Sequence, residues 1–246
     1  MPFEAKTATV AGAPFRYAHS LSARDRVRAP VAAKAETVKS KVSVGHLLIR
    51  LADILISLSA LLFLLPGLLA VALVVKLQDG GSVLYGQTRI GKDMRPFKCL
   101  KFRSMRTNSA ELLAELLARD PVARAEWEAD HKLRHDPRIT AFGNFMRKTS
   151  LDELPQLFNV LVGDMSLVGP RPIVEAEVVK YGRSMRHYCR QLPGITGLWQ
   201  VSGRNDVSYT RRVALDRLFT QRLSIKLYAA ILFLTVPAVL LRRGSY

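Results

Sequence analysis

The sequence predicts a mainly α-helical, membrane-associated chain with a small β-hairpin. Three observations support this fold class. Residues 54–75 form a long run that is apolar apart from two serines and a Pro-Gly pair. Amphipathic helical patterns follow at 111–117 and 123–133, with apolar residues at the spacing of one helix face. Between them and the apolar run, two strand-like segments flank a turn, which is typical of a hairpin.

Residues 1–45 are predicted to form a flexible basic tail. They contain scattered Ala, Ser, Thr, Pro and charged residues, without the periodicity of a helix or a strand. Such segments bury too little apolar surface to offset the entropy of ordering the chain.

Residues 46–78 are predicted to form a membrane helix. Its apolar run would be roughly 33 Å long at ~1.5 Å per residue, enough to cross a bilayer. Pro66 and Gly67 interrupt the run, and proline removes a backbone donor and bends a helix. Basic residues flank both ends of the run. Because basic residues prefer the cytoplasmic side, a spanning helix would have to carry one of these clusters across the membrane, whereas a re-entrant helix would carry neither. Two arrangements therefore stay open: a spanning helix, or a re-entrant helix that breaks at Pro66.

Residues 79–246 are predicted to form one domain on the membrane surface. It contains the hairpin, with strands at 83–85 and 97–102, and the two helices, which Pro121 separates. Residues 170–210 are rich in Gly, Pro, Arg and Ser and favour a loop-dominated wall. Residues 225–241 are apolar but contain Lys226, so an interfacial amphipathic helix is favoured over a second span.

The formal net charge of +17 predicts a polyanionic partner, such as nucleic acid, anionic lipid or a phosphorylated substrate. A single-stranded nucleic-acid site interleaves basic and stacking aromatic residues, and no such pattern occurs in this sequence. A non-catalytic basic scaffold at the membrane is a further alternative. We favour anionic membrane lipid and phosphorylated substrates over nucleic acid.

The adjacent carboxylates Asp152 and Glu153 are the candidate catalytic residues. With Ser150, Glu153 matches a capping box, so both carboxylates could simply complement a helix N-terminus. The same position suits phosphate chemistry, because a helix N-terminus favours a bound phosphate. An ionised Asp152 could act as a nucleophile, and Glu153 could hold Mg²⁺ beside a diphosphate.

Four basic residues are candidates for binding the substrate's phosphates. Any one of them could be an ordinary surface charge, but together they accompany the carboxylates and tight Gly-Pro turns. Guanidinium and ammonium groups would screen the phosphate oxygens. These residues are Lys101, Arg103, Arg147 and Arg171.

Five segments together resemble the bacterial sugar transferase family, the small monotopic phosphoglycosyl transferases. They occur in the family's order and extend the resemblance over residues 45–246. The segments are Lys101-Phe-Arg-Ser-Met105, Asp136-Pro-Arg-Ile-Thr140, Ser150-Leu-Asp-Glu-Leu-Pro-Gln-Leu157, Gly163-Asp-Met-Ser-Leu-Val-Gly-Pro-Arg-Pro172 and Pro193-Gly-Ile-Thr-Gly-Leu-Trp-Gln-Val-Ser-Gly203.

The resemblance implies a monotopic protein on the cytoplasmic face of the bacterial inner membrane. Its membrane helix would be re-entrant, would break at Pro66 beside Gly67, and would bind lipid at the break. Asp152 would attack the sugar-bearing phosphorus of a UDP-sugar and release UMP, and undecaprenyl phosphate would then displace Asp152. Glu153 would hold Mg²⁺.

Within the family, the sequence most resembles the type that primes exopolysaccharide assembly with galactose phosphate, and Lys101, Arg147 and Arg171 match positions that hold phosphate. Glucose is the next candidate sugar, and N-acetylated sugars follow. The last segment departs from the family pattern, with Phe219, Ser224 and Tyr228 where tyrosine, serine and aspartate are usual. The sequence leaves open whether the chain forms a homo-oligomer.

Overall fold

The computed structural model describes residues 44–130, 133–203 and 207–240. Its first element, α1, is a 36-residue helix, Val44–Asp79, that includes Pro66. Among the described residues, α1 is the one helix long and apolar enough to cross a membrane. The predicted tail at 1–45 lies outside the described residues, apart from its last two, where α1 begins.

One stripe of α1 packs against the rest of the chain, and its other faces are exposed. Asp53, Ser57 and Leu61 are buried at four-residue spacing, which places them on one side of the helix. On the opposite side, near the middle of α1, Phe63 is 85% exposed. A long exposed apolar face requires an apolar environment, so α1 is suited to a membrane. Its re-entrant path and the break at Pro66 stay predictions.

Both ends of α1 are hydrogen-bonded to the same domain. Near the start, the Arg50 guanidinium donates to the carbonyls of Val160 and Leu161 at 2.6 and 2.9 Å. Near the end, the Arg103 guanidinium donates to the Val75 carbonyl at 3.1 Å. The domain therefore holds α1 at two points separated by most of the helix.

The predicted hairpin is confirmed. Strand β1, Leu84–Ile90, pairs antiparallel with β2, Pro96–Phe102. A short 3-10 turn at Lys92–Met94 connects them.

The two predicted helices after the hairpin are also present, as α2, Ser109–Arg119, and α3, Pro121–Asp130. Proline is tolerated at the first position of α3, where its missing N–H would have no helical partner. The Asp120 carboxylate accepts hydrogen bonds from the next two backbone N–H groups of α3, at Val122 and Ala123. Proline and aspartate together end one helix and begin the next.

The remainder of the domain consists of short elements followed by two longer helices. The elements are α4, Ala141–Thr149; a 3-10 turn, Leu151–Glu153; α5, Gln156–Val162; β3, Ser166–Val168; α6, Val178–Tyr181; α7, Met185–Tyr188; β4, Gly194–Thr196; α8, Leu198–Val201; α9, Tyr209–Arg222; and α10, Ile225–Leu240. Strands β3 and β4 form a parallel pair that was not predicted. The segment 170–210 thus contains more regular structure than a loop-dominated wall.

The core joins α1 to the C-terminal helices. Leu61 of α1, Val160 of α5, Phe219 of α9 and Ile231 of α10 are buried in one cluster. The departure from the family pattern at Phe219 is therefore accommodated by an apolar core position.

Tyr228 of α10, the other marked departure, anchors the C-terminal helix to α1. Its hydroxyl donates to the Asp53 carboxylate at 2.7 Å. Asp53 also accepts from the Ser166 hydroxyl at 3.1 Å and from the Leu167 backbone N–H at 2.8 Å. A single buried carboxylate therefore links α1, β3 and α10. The membrane depth of α10 stays a prediction.

Candidate active site

The site is built where the end of β2 meets the 3-10 turn Leu151–Glu153. The Lys101 ammonium at the end of β2 contacts the Glu153 carboxylate, with 2.7 Å between Nζ and Oε1. The Glu153 side chain is 40% exposed, so it also faces the space in front of the turn. The structure thus brings together two predicted site residues that are far apart in sequence.

The predicted capping box is wrong. Ser150 has a left-handed backbone with φ of 58° and makes no side-chain hydrogen bond to the turn. It ends α4, since its N–H donates to the carbonyls of Met146 and Arg147. The next α-helix begins only at Gln156. Asp152 and Glu153 therefore lie in a tight turn between two helices, and capping does not account for them.

Asp152 is a buried carboxyl group beside two cations, with 8% of the residue exposed. Burial raises the pKa of Asp152, the positive charges of Lys101 and Arg147 oppose this effect, and the Glu153 charge adds to it. Burial has the larger effect, so the pKa of Asp152 is raised overall. In its ionised form, a carboxylate with little hydration beside cations is a suitable nucleophile.

Arg147 reaches the site from the last turn of α4. Its Nε donates to the Ser104 hydroxyl at 2.9 Å, which fixes the direction of the guanidinium. This arrangement requires glycine at position 143, where an added Cβ would lie 2.0 Å from the Ser104 carbonyl oxygen. Close packing of α4 on the segment after β2 therefore positions Arg147.

Arg103 is directed elsewhere. Its guanidinium forms an ion pair with Asp79 at the end of α1 and donates to the Val75 carbonyl. Its charge is not among the main influences on Asp152, which are those of Lys101, Glu153 and Arg147. The structure thus places Arg103 as a clamp on the membrane helix, and its predicted contact with substrate stays a prediction.

Arg171 lies in a neighbouring cluster. Its guanidinium carbon is 5.7 Å from the centre of the Trp199 ring. Burial raises the pKa of the Cys99 thiol, and the positive charges of Lys101 and Arg171 both oppose the effect. The charges of Lys101 and Arg171 thus both reach Cys99, which places the Arg171 cluster on the same side of the hairpin as Lys101.

An apolar groove of about 430 Å³ lies beside the site, between α1 and the domain. Leucines of α1, including Leu65 next to Pro66, form one side, and Phe102, Pro155 and Phe158 line the other. Phe102 directly follows Lys101, and Pro155 is close in sequence to Glu153. The wall of the groove opposite α1 thus comes from the same two segments, the end of β2 and the turn before α5, that carry Lys101 and Glu153.

Comparison with known proteins identifies the family. The model of the family described as bacterial sugar transferase matches residues 44–242. This chain belongs to the bacterial sugar transferase family.

Curated relatives of this chain cover most of its described residues. The UDP-galactose-lipid carrier transferase of Erwinia amylovora is 55% identical over 194 residues, 79% of this chain and 40% of that protein. The undecaprenyl-phosphate galactose phosphotransferase of Salmonella typhimurium is 59% identical over 169 residues, 69% of this chain and 36% of that protein. The exopolysaccharide production protein ExoY of Sinorhizobium fredii is 50% identical over 203 residues, 82% of this chain and 90% of that protein. Other relatives, 38% identical, are named for glucose-1-phosphate transfer. The chain thus spans about two fifths of the length of the first two relatives and most of the third.

The carboxylate pair of the transferase fits Mg²⁺ bound with help from substrate. Within the described residues, no group of three or more His, Cys, Asp and Glu side chains could form a metal site. Mg²⁺ does not require one, because it commonly takes one or two carboxylates and completes its shell with water and substrate phosphates. Glu153 is the exposed member of the pair and the better placed to contact a shared ion.

Two residues near Arg171, Trp199 and Arg212, were not predicted from the sequence as candidate site residues. Arg212 of α9 lies over Trp199, and the Arg212 guanidinium carbon is 4.0 Å from the centre of the Trp199 ring. Arg212 and Arg171 thus contact the same aromatic residue. Trp199 lies in a family segment but was assigned no role, and Arg212 does not stand out because one arginine among many in a basic chain carries no separate signal. Their proximity depends on α8 packing against α9.

Proposed function

We propose that this transferase moves galactose-1-phosphate from UDP-galactose to undecaprenyl phosphate and releases UMP. This would be the first step of exopolysaccharide assembly, at the cytoplasmic face of the bacterial inner membrane. One observation carries the proposal: a buried carboxylate, Asp152, lies among Lys101, Glu153 and Arg147 beside an apolar groove under the membrane helix. The names of the relatives support the donor and the acceptor.

In the first half-reaction, a carboxylate oxygen of Asp152 bonds to the phosphorus that carries the sugar. The bond from that phosphorus to the bridging oxygen breaks, and this oxygen leaves with UMP. In the second half-reaction, a phosphate oxygen of undecaprenyl phosphate bonds to the same phosphorus, and the bond to Asp152 breaks. Lys101 and Arg147 are placed to neutralise the phosphate oxygens in both halves.

Mg²⁺ would supply further positive charge for an anionic nucleophile that approaches an anionic diphosphate. Glu153 would hold the ion through its exposed carboxylate. The contact between Lys101 and Glu153 keeps the ammonium and the carboxylate in front of the turn, and Arg147 remains hydrogen-bonded to Ser104. The chain thus orients the reacting groups before the donor arrives.

For the membrane helix, we propose the re-entrant path with its bend at Pro66. The first support is that Arg50 and Arg103 tie both ends of α1 to one domain. A helix that crossed the bilayer would place these two contacts on opposite sides. The second support is that the exposed apolar residues near the middle of α1 flank Pro66, where the helix would penetrate deepest.

The groove between α1 and the domain is suited to the isoprenoid chain of the acceptor. Its lining is apolar, so a hydrocarbon entering from the bilayer loses no hydrogen bonds. Phe102 and Pro155 line it and belong to the segments that carry Lys101 and Glu153. A lipid lying in the groove would therefore present its phosphate head near Asp152.

Galactose is favoured over glucose by the relatives. Those named for galactose transfer are 55% and 59% identical, whereas those named for glucose-1-phosphate transfer are 38% identical. The two sugars differ at one hydroxyl, which a single hydrogen bond can distinguish. Glucose-1-phosphate transfer by the same reaction is the alternative.

A panel of UDP-sugars tests the proposal. The full chain, purified in lipid nanodiscs, is incubated with each sugar nucleotide, undecaprenyl phosphate and Mg²⁺, and UMP and lipid-linked sugar are measured. We expect the fastest turnover with UDP-galactose and none after chelation of Mg²⁺. A basic scaffold or a nucleic-acid-binding protein would release no UMP from any donor.

A further inference from the structure

A second cluster of charged and aromatic side chains adjoins the carboxylate pair. Arg212 is its central residue, with the guanidinium carbon 4.0 Å from the centre of the Trp199 ring and 5.5 Å from that of Tyr209. Arg171 approaches the same indole to 5.7 Å. Planar guanidinium groups stack on aromatic rings in this way and still offer their N–H groups to a ligand.

The cluster carries excess positive charge. Arg89, Arg171 and Arg212 lie close enough that Arg171 lowers the pKa of both other guanidinium groups, although burial has the larger effect. Two carboxyl groups lie nearby. Glu177 is 3.7 Å from the Arg89 guanidinium, and the pKa of Asp216 is raised by burial to about 7, which makes it a weak counter-charge. Three arginines are costly to gather unless an anion offsets their repulsion.

Several buried polar groups of the cluster have no hydrogen-bond partner within the described part of the chain. The donors are the indole Nε1 of Trp199, the guanidinium Nε of Arg212 and the Tyr209 hydroxyl, whereas Oδ1 of Asp216 is an unpaired acceptor. Trp199 is only 3% exposed. Buried donors in folded proteins are nearly always paired, so the unpaired donors of this stack indicate a missing partner with oxygen atoms.

We propose that Arg212, Trp199 and Arg171 form the subsite that holds the phosphate of the nucleoside monophosphate half of the donor. This inference rests on the proposed function and extends it to residues outside the carboxylate pair. Arg89 of the cluster donates to the Pro172 carbonyl at 3.1 Å and pairs across the hairpin with Phe97, which lies on the same strand face as Lys101 because side chains alternate along a strand. The two clusters therefore lie on one face of the hairpin. The sugar-bearing phosphate then faces Asp152 and the nucleotide phosphate faces Arg212.

The charge of the leaving group explains why arginines are needed there. When the bridging P–O bond breaks, its electron pair stays on the oxygen that departs with the nucleoside monophosphate. That phosphate gains negative charge, and guanidinium groups fixed around it stabilise the charge as it develops. The subsite therefore acts in the half-reaction that releases the nucleotide and has no contact with the lipid acceptor.

The test measures UMP binding to the full chain in nanodiscs and the kinetics of the two half-reactions. Arg212→Gln should weaken UMP binding by at least tenfold and lower kcat/KM for the UDP-sugar, with kcat/KM for undecaprenyl phosphate unchanged. Trp199→Phe keeps the ring but removes the Nε1 donor, so a several-fold loss of UMP binding is expected. Arg212→Lys keeps the positive charge but loses the planar group that stacks on the ring, so it should bind UMP more tightly than Arg212→Gln and less tightly than the unsubstituted chain.

Arg211→Gln is the matched control, because Arg211 is an exposed arginine beside Arg212 on α9; it should bind UMP like the unsubstituted chain. If Arg212→Gln and Arg211→Gln bind UMP equally well, the subsite assignment is wrong. If Arg212→Gln fails to fold, Trp199→Phe decides, and normal UMP binding by this variant overturns the proposal. Failure of the proposed function would look different, because the unsubstituted chain would then release no UMP from any UDP-sugar.

Discussion

Asp216 gives the transferase a pH-dependent stability that can be calculated from its surroundings. It is 2% exposed, and the Tyr181 hydroxyl donates to one of its carboxylate oxygens at 2.7 Å. Burial raises the pKa of Asp216 from 3.8 to about 7, against the opposing effects of the Tyr181 hydrogen bond and the Arg212 charge. Asp216→Asn removes the ionisation and keeps an acceptor for the Tyr181 hydroxyl.

Whether stability rises or falls with pH follows from the two pKa values of Asp216, 3.8 in the unfolded chain and about 7 in the folded chain. At pH below 3.8 the carboxyl is protonated in the folded and unfolded chains, and its ionisation contributes nothing to stability. At higher pH the unfolded chain loses the proton first, so the free energy of unfolding falls by about 1.4 kcal/mol per pH unit. The fall stops near pH 7. The difference between 3.8 and about 7 corresponds to a loss on the order of 4 kcal/mol.

Thermal melting in nanodiscs between pH 4 and pH 9 measures this effect. We expect the advantage of Asp216→Asn over the unsubstituted chain to grow with pH and to level off above pH 7, at roughly 10 °C in Tm. Glu111→Gln, which removes an exposed carboxylate from α2, is the control and should change stability by no more than about 0.5 kcal/mol at any pH. An Asp216→Asn advantage that does not change with pH would refute the reasoning.

Three further substitutions test other parts of the structure. Lys101→Gln should lower UMP release by on the order of a hundredfold, whereas Lys98→Gln, an exposed position on the same strand, should be nearly normal; equal rates would remove Lys101 from the site. Gly143→Ala should push α4 away from the Ser104 carbonyl, with a loss of about 1–3 kcal/mol in thermal or chemical unfolding and a lower rate; unchanged melting would contradict the close packing. Pro66→Leu should straighten α1 and carry an N-terminal tag across the membrane; a tag that stays cytoplasmic in a protease-protection assay would count against the re-entrant path.

Local patterns were sufficient to predict the hairpin and the helices α2 and α3. The two strands of the hairpin are adjacent in sequence, and Pro121 marks the boundary between the helices. The parallel pair of β3 and β4 was missed because each strand has only three residues and more than twenty residues separate the two strands in the sequence. So short a strand carries no readable alternation, and nothing local indicates its partner.

The candidate site was predicted in part, because some of its residues are adjacent in sequence and others come together only in the fold. Asp152 and Glu153 are adjacent in sequence, and the family motifs add Lys101 and Arg147, which the structure places beside them. The capping box failed because its sequence pattern does not reveal that Ser150 has a left-handed backbone. Here the Ser-x-x-Glu pattern follows the end of α4, although the same pattern is also typical of a helix start.

Arg103 and Arg212 show most clearly which side-chain contacts could not be predicted from the sequence. Arg103 belongs to a family segment, yet its guanidinium contacts the end of α1, which only the packing of the helix on the hairpin determines. Arg212 has no motif of its own and reaches Trp199 through the contact of α8 with α9. Long-range packing decides which of the many basic residues of this chain come together, and the sequence does not reveal that.

Trapping of the covalent intermediate tests the central claim most directly. The full chain is incubated with Mg²⁺ and UDP-galactose labelled in the sugar, without lipid acceptor, and the protein is separated and counted. We predict label on the unsubstituted chain and on the Asp164→Asn control, none on Asp152→Asn, and transfer of the label to undecaprenyl phosphate when it is added. Label that persists on Asp152→Asn, or turnover by that variant at a near-normal rate, would contradict the account.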